Sequence, residues 1–237
     1  MGTSFRILPD SGNRSSFIGG SDARIIMGKD RDQLVRLWRE KRGEALPLDL
    51  SNDLIVQLGS ITEHLNRRLY ERESGHTVQG VQRTVRHPIH KWMRADVGGR
   101  VRDTGAVFHA SFLPSGHFSE PVLADLHMAL LQHSMWVMAA RSALLSIITG
   151  DGKRIQMTVP ADPLYQHLLL TAEKKFLRCV QTGEPPALFG IEAPRPRPNS
   201  IKIIDMSASG QWSKFPASHF RSRDAPGELE NSQQPRR

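Results

Sequence analysis

The chain has 237 residues, 38% of them hydrophobic, with a formal net charge of +8 and a sequence pI near 10.1. That length suits one domain with a single core rather than two full domains, and the charge favours a polyanionic partner, because each phosphate neutralised by Lys or Arg releases condensed counterions. A lone cysteine, Cys179, excludes an intrachain disulfide and a thiolate metal cluster, and neither a signal peptide nor a membrane-spanning run is visible, so the expectation is a soluble, cytoplasmic protein with no membrane partner.

Residues 1–16 are polar and irregular. Gly19 and Gly20 turn the chain into a short helix over 22–27, where the Ser21 hydroxyl is placed to cap free amides. Asp30 caps a second helix over 31–42, in which Leu34, Leu37 and Trp38 share a face and Gly43 supplies the stop. A long helix over 51–74 follows, because Leu54, Leu58, Ile61, Leu65 and Leu69 recur every three or four residues before Gly75.

Three strand-like segments, 77–86, 97–102 and 106–113, are broken by His87-Pro88 and Asp103-Thr104-Gly105. A helix that is apolar on most sides opens at Ser119 or Glu120 and runs to Arg141. Strands over 142–149 and 153–159 flank Gly150-Asp151-Gly152, a hairpin spacing. Asp162 and Pro163 start the last helix, with Leu164, Leu168, Ala172, Phe176 and Val180 along one stripe and Gly183 at its end.

Beyond Pro186 the composition changes. Residues 194–198 alternate Pro and Arg and read as polyproline, 201–206 as an edge strand, and 224–237 as a disordered tail. The order of elements predicts an α/β core with a mixed sheet. It divides into an irregular segment 1–16, a domain over 17–186, a Pro-rich extension 187–223 and the tail 224–237.

Walker, GxGxxG, HExxH and GxSxG motifs are absent. Gly150-Asp151-Gly152-Lys153 lacks the Ser or Thr and the strand-to-helix setting of a phosphate loop, and reads as a hairpin. His127 and His133 are six apart on a helix and point in different directions, which argues against a zinc pair.

Several segments occur in one consistent order: Phe17-Ile18-Gly19-Gly20-Ser21-Asp22-Ala23, Leu37-Trp38-Arg39-Glu40-Lys41-Arg42-Gly43, Gly59-Ser60-Ile61-Thr62-Glu63, the helix from His127 through Leu130 to Val137, and Ala143-Leu144-Leu145-Ser146-Ile147-Ile148-Thr149-Gly150. Together they resemble the YqaJ viral recombinase and lambda-exonuclease-like family of the PD-(D/E)XK nucleases. The resemblance implies a restriction-endonuclease-like core, a central mixed β-sheet flanked by helices, and DNA hydrolysis supported by Mg2+ or Mn2+. In that chemistry two carboxylates hold the metal and a lysine two residues along the strand faces the same pocket.

Carried over residue by residue, the resemblance puts Gly98 at the position of the metal-binding Asp, His109 at that of the Glu, Ser111 at that of the Lys and Leu130 at that of the active-site Gln; Glu63 alone is retained. The expectation is a phage-recombination-type exonuclease homologue that binds DNA ends with impaired or absent catalysis and a weak or absent metal site. Two alternatives stay open. One is a divergent metal-dependent exonuclease using Glu63, Asp96 and His109, which needs the strand to bend or bulge at Asp96; the other is a non-catalytic regulatory subunit of an active nuclease.

Arg14 precedes Ser21 by seven residues, a spacing that resembles the family's pair for a terminal 5′-phosphate, although capping and surface charge explain the two equally well. Arg83, Arg86, His87, His90, Lys91 and Arg94 either track a DNA backbone or form a solvated strand face. The implied partners are DNA ends, a homo-oligomeric ring and a single-strand annealing protein.

Overall fold

A computed structural model of the chain describes residues 7–8, 16–115, 120–190, 194 and 198–206. Five helices are α1 (Gly20–Ile26), α2 (Arg31–Arg42), α3 (Leu54–Ser74), α4 (Glu120–Met138) and α5 (Pro163–Thr182). Aspartates written just ahead of three of them set where they start: Asp30, Asp53 and Asp162 accept backbone N–H groups from the first turns of α2, α3 and α5. Gly43, Gly75 and Gly183 close the same helices at φ of 74°, 72° and 82°, a conformation that a side chain would strain.

The strands are β1 (Ile7–Leu8), β2 (Val78–Gln79), β3 (Arg83–Arg86), β4 (Arg94–Val97), β5 (Gly99–Val101), β6 (Val107–Leu113), β7 (Ser142–Thr149), β8 (Lys153–Pro160) and β9 (Ser200–Asp205). They form a six-stranded sheet in the order β2-β5-β6-β7-β8-β9 and a three-stranded antiparallel sheet in the order β1-β3-β4. In the larger sheet β6 and β7 run parallel and every other pair is antiparallel, so the sheet is mixed as expected. The helix α4 makes the crossover that this parallel pair requires. The chain leaves the small sheet and enters the large one at Gly98, between β4 and β5.

Alternation along the central strands separates two apolar layers. Val107, Ala143, Leu145 and Ile147 face α4 and pack with Met128, Leu131 and Met135, whereas Phe108 and Leu144 face α3 and pack with Tyr70, Val78 and Val101. A third cluster joins α1, α2 and α5 through Ile18, Ile26, Leu34, Leu37, Trp38, Ala172 and Phe176.

Several expectations need correction. The single strand expected over 77–86 is two short strands in different sheets, divided where Gly80 and Gln82 take positive φ of 63° and 51°. The strand expected over 97–102 is also two, β4 beginning earlier at Arg94 and β5 following after Gly98. The α3 stripe is buried only in its second half, since Leu54 and Ile61 are 64% and 72% exposed while Leu69 is 3%. On α5 Ala172 and Phe176 are buried as predicted, but ahead of them Tyr165 and Leu169 are buried where Leu164 and Leu168 were expected, and Leu164 is exposed. α4 stops at Met138, where Ala139 turns to φ 48°.

The predicted edge strand is β9, paired along β8. Residues 195–197 of the Pro-Arg stretch and the tail 224–237 lie outside the described residues. Among the described residues no helix is long and apolar enough to cross a membrane.

Candidate functional site

Where the chain changes sheets, Gly98 meets Glu63 of α3. A Cβ on Gly98 would stand 3.2 Å from Glu63 Oε1, from Phe108 Cδ1 and from the Phe108 carbonyl oxygen. The fold therefore brings together two positions that lie 35 residues apart in the chain and that the resemblance assigned to one metal centre. Gln82 Nε2 donates to Glu63 Oε2 at 3.5 Å.

Asp96 does not join them. The β3–β4 ladder runs without a bulge, pairing Thr84 with Asp96. Strand alternation sends Ala95 and Val97 into the core and Asp96 out, where its carboxylate accepts from the Thr84 hydroxyl at 2.6 Å. Among the described residues no three of His, Cys, Asp and Glu are grouped to hold a metal. The ligand set of Glu63, Asp96 and His109 is therefore not assembled, because the bend it needed is absent.

The next two positions sit on the α4 face of β6. His109 is 7% exposed and its Nε2 has no hydrogen-bond partner among the described residues. Burial lowers its pKa to about 4, and the nearby His127 and His133 push the same way, so the imidazole is neutral at neutral pH. Ser111 lies with its Oγ 3.4 Å from His127 Nε2. His127 Nδ1 faces the Leu123 carbonyl at 3.0 Å and must donate there, which makes Nε2 the acceptor and Ser111 the donor.

His127 and His133 do point apart, as their spacing predicts. His133 Nε2 donates to the Arg94 carbonyl and its Nδ1 faces Glu173 Oε1, both at 2.7 Å. Burial works against its charge, but the Glu173 carboxylate and these hydrogen bonds raise its pKa on balance, in a buried histidine–glutamate pair. Leu130 packs beside α1, where a Cβ on Gly20 would come 3.1 Å from Leu130 Cγ.

Gly98, His109, Ser111 and Leu130 thus bring no carboxylate to Glu63. A hard divalent ion needs several oxygen ligands, often carboxylates, and a glycine, a neutral imidazole and a serine hydroxyl are a poor substitute. This donor set does not fit the two-carboxylate magnesium centre that the resemblance implies.

A second polar corner lies at α1. Ser21 is not its cap: the helix begins at Gly20, and Asp22 Oδ2 accepts the Gly19 N–H at 2.9 Å. Asp22 also receives Lys41 Nζ at 2.6 Å, and the same ammonium donates to the Phe17 carbonyl at 2.6 Å. Both side chains are almost wholly buried. The Phe17 ring has Lys41 Nζ at 5.1 Å from its centroid and the Arg94 guanidinium at 4.3 Å, within cation–π range.

Arg94, expected as a surface cation, is 7% exposed; burial lowers its pKa, aided by Arg86 and opposed by Asp96. Arg83 and Lys91 are exposed, Lys91 donating to the Pro88 carbonyl, and Arg86 is half-buried opposite Arg94. Ser21 is exposed on the first turn of α1, and Arg14 lies outside the described residues. Sequence reasoning passed over the buried contacts of Asp22, Lys41 and Phe17, although Phe17 and Asp22 bracket the serine it did single out.

A family model described as YqaJ-like viral recombinase domain matches residues 11–141, more than half of the 237. The chain belongs to the YqaJ-like viral recombinase family. A curated relative, the uncharacterized protein YqaJ of Bacillus subtilis (strain 168), is 26% identical over 187 residues, 76% of this chain. The chain spans 58% of that relative's length.

Among solved structures, an alkaline exonuclease from Laribacter hongkongensis superimposes with a TM-score of 0.57 at 16% identity, covering 72% of this chain and 90% of the exonuclease. The same exonuclease in complex with dAMP gives a TM-score of 0.56 at 15% identity over the same shares. At those identities the likeness establishes the fold. This YqaJ-like chain therefore has the mixed sheet and flanking helices of the exonuclease structures, as the resemblance implied.

Proposed function

We propose that the protein binds DNA ends and hydrolyses them weakly or not at all. The carrying observation is the meeting of Gly98 and Glu63: the position that would hold a second carboxylate is a glycine, with Glu63 Oε1 3.2 Å from where its Cβ would stand. Catalytic groups of one centre act as a unit, so replacing several leaves about a thousandth or less of the rate, while phosphate binding depends on other groups.

Those groups are Arg14 and Ser21 for a terminal 5′-phosphate, with Arg83, Arg86 and Lys91 along the backbone; Arg94 acts from its place on Phe17. The related exonuclease has been solved with dAMP, a 5′-mononucleotide, which is the kind of terminus this corner would receive. Homologous exonuclease folds also make a ring, an active nuclease paralogue and a single-strand annealing protein the partners to seek by co-purification. The lone Cys179 suits a reducing cytoplasm.

Fluorescence anisotropy with blunt duplexes, in chelator to prevent turnover, tests the reading. A 5′-phosphorylated end should bind several-fold more tightly than a 5′-hydroxyl end, through charge-assisted hydrogen bonds, and Arg14→Ala should remove the difference. Equal affinity of the wild-type protein for both ends would contradict it.

A further inference from the structure

The turn between β3 and β4 carries a set of rings that end binding does not use. His87, 9% exposed, accepts the backbone N–H groups of Ile89 and His90 on Nδ1 at 3.1 and 2.9 Å, which pins the turn. Its ring stacks on Trp136 of α4, with centroids 6.3 Å apart at 8°, and on His90, at 5.0 Å and 23°. His90 leans in turn on Trp92, at 5.7 Å and 41°. The rings thus connect the buried helix α4 to half-buried His90 and Trp92 at the surface.

The chemistry around these rings is mixed in a specific way. Ile89 at the tip is 77% exposed, Lys91 is exposed, and Arg86 flanks the base of the turn. Apolar and π surface beside cations, on backbone held by hydrogen bonds, suits a ligand that has flat faces and phosphates together. Unpaired DNA is such a ligand, since every base offers a face for stacking and every linkage a charge. In a duplex those faces are already stacked on one another.

We propose that the β3–β4 turn binds an unpaired DNA strand, stacking a base on His90 and Trp92 with Ile89 against its neighbour and the phosphates near Arg86 and Lys91. The inference rests on the DNA reading above but requires bases, where the end grip requires only a phosphate. A protein of this design would hold the frayed or resected strand at an end as well as the end itself.

The test compares labelled dT12 with a 12-mer of abasic sites carrying the same phosphates, using the full chain, and a 5′-phosphorylated blunt duplex measured in parallel. Wild type should prefer dT12 by about tenfold, as loss of one base–ring stack predicts. His90→Ala should abolish the preference and His90→Phe restore it, because phenylalanine keeps the flat face and loses the polar nitrogens; Ile89→Ser should weaken it. Duplex-end affinity should stay unchanged in all three variants, so failure of stacking and failure of end binding are read separately. Equal binding of dT12 and the abasic strand by wild type, or His90→Phe as weak as His90→Ala, would overturn the proposal.

Discussion

Two polar corners lie at either end of β4, four residues apart in the chain, and they have been treated in opposite ways. At Arg94 the charges are complete: Asp22 holds Lys41 at 2.6 Å, and Phe17 has a cation at 4.3 Å and another at 5.1 Å. At Gly98 one carboxylate, Glu63, faces a glycine. The contrast teaches that a buried cluster of charges paired among themselves and a corner holding a single carboxylate can stand at opposite ends of one short strand on this fold. A buried ion pair is costly to break by halves, whereas the carboxylate beside Gly98 takes a neutral partner, Gln82.

The largest effect is expected at the complete corner. Asp22→Ala leaves the Lys41 ammonium buried without its carboxylate and should cost about 3–5 kcal/mol of folding stability by denaturant unfolding; a loss below about 1 kcal/mol would show that the corner is not held by this pair.

Acid titration probes the other side of the comparison. The folded pKa of His109 is depressed from 6.5 to about 4, so its contribution is fully present above pH 6.5 and is lost as pH falls through 4. That contribution is worth about 3 kcal/mol. His87, also lowered to about 4 by burial and by its neighbours His90 and Lys91, acts in the same window with the same sign. His133 is raised and acts oppositely, being lost as pH rises through its folded pKa. Unfolding free energy measured between pH 7 and 4 should therefore fall, and His109→Leu should reduce the slope; an unchanged slope would mean that His109 is charged or solvated in the folded protein.

Gly98→Ala is expected to cost about 1–3 kcal/mol, because the added methyl meets three atoms at 3.2 Å. A neutral or stabilising result by thermal unfolding would mean that Glu63 and Phe108 yield easily, leaving room for a metal ligand there. The smallest effect belongs to Asp96→Ala, under about 1 kcal/mol for an exposed hydrogen bond, with no change in manganese binding by calorimetry. A drop in manganese affinity would bring Asp96 back into the site.

Much of the scaffold was legible. Asp30 and Asp162 with Gly43, Gly75 and Gly183 mark helix ends through local chemistry, whereas α3, expected from 51, starts after the Asp53 cap, and Gly150-Asp151-Gly152 marks the β7–β8 turn, with Gly152 at φ 77°. What local pattern could not reveal was sheet membership. β3, β4 and β5 are three or four residues each, and their assignment to two sheets depends on the turn at Gly80 and the crossing at Gly98, neither of which has a periodic signature.

The site was legible only in part for the same reason. Glu63 and Gly98 were paired by resemblance and meet in space, but the outward turn of Asp96 follows from an unbroken β3–β4 register that no residue announces. The pairs Asp22–Lys41 and His133–Glu173 join residues 19 and 40 apart. Their partners are chosen by packing, and nothing in the local sequence marks them.

Nuclease assay decides the central claim. Purified protein and its Glu63→Ala variant, each incubated with linear 5′-phosphorylated duplex and manganese, should release mononucleotides at the same background rate while the wild type still shifts the duplex in chelator. Manganese-dependent digestion that disappears in Glu63→Ala would contradict the account, since it would require a working metal where Glu63 faces a glycine.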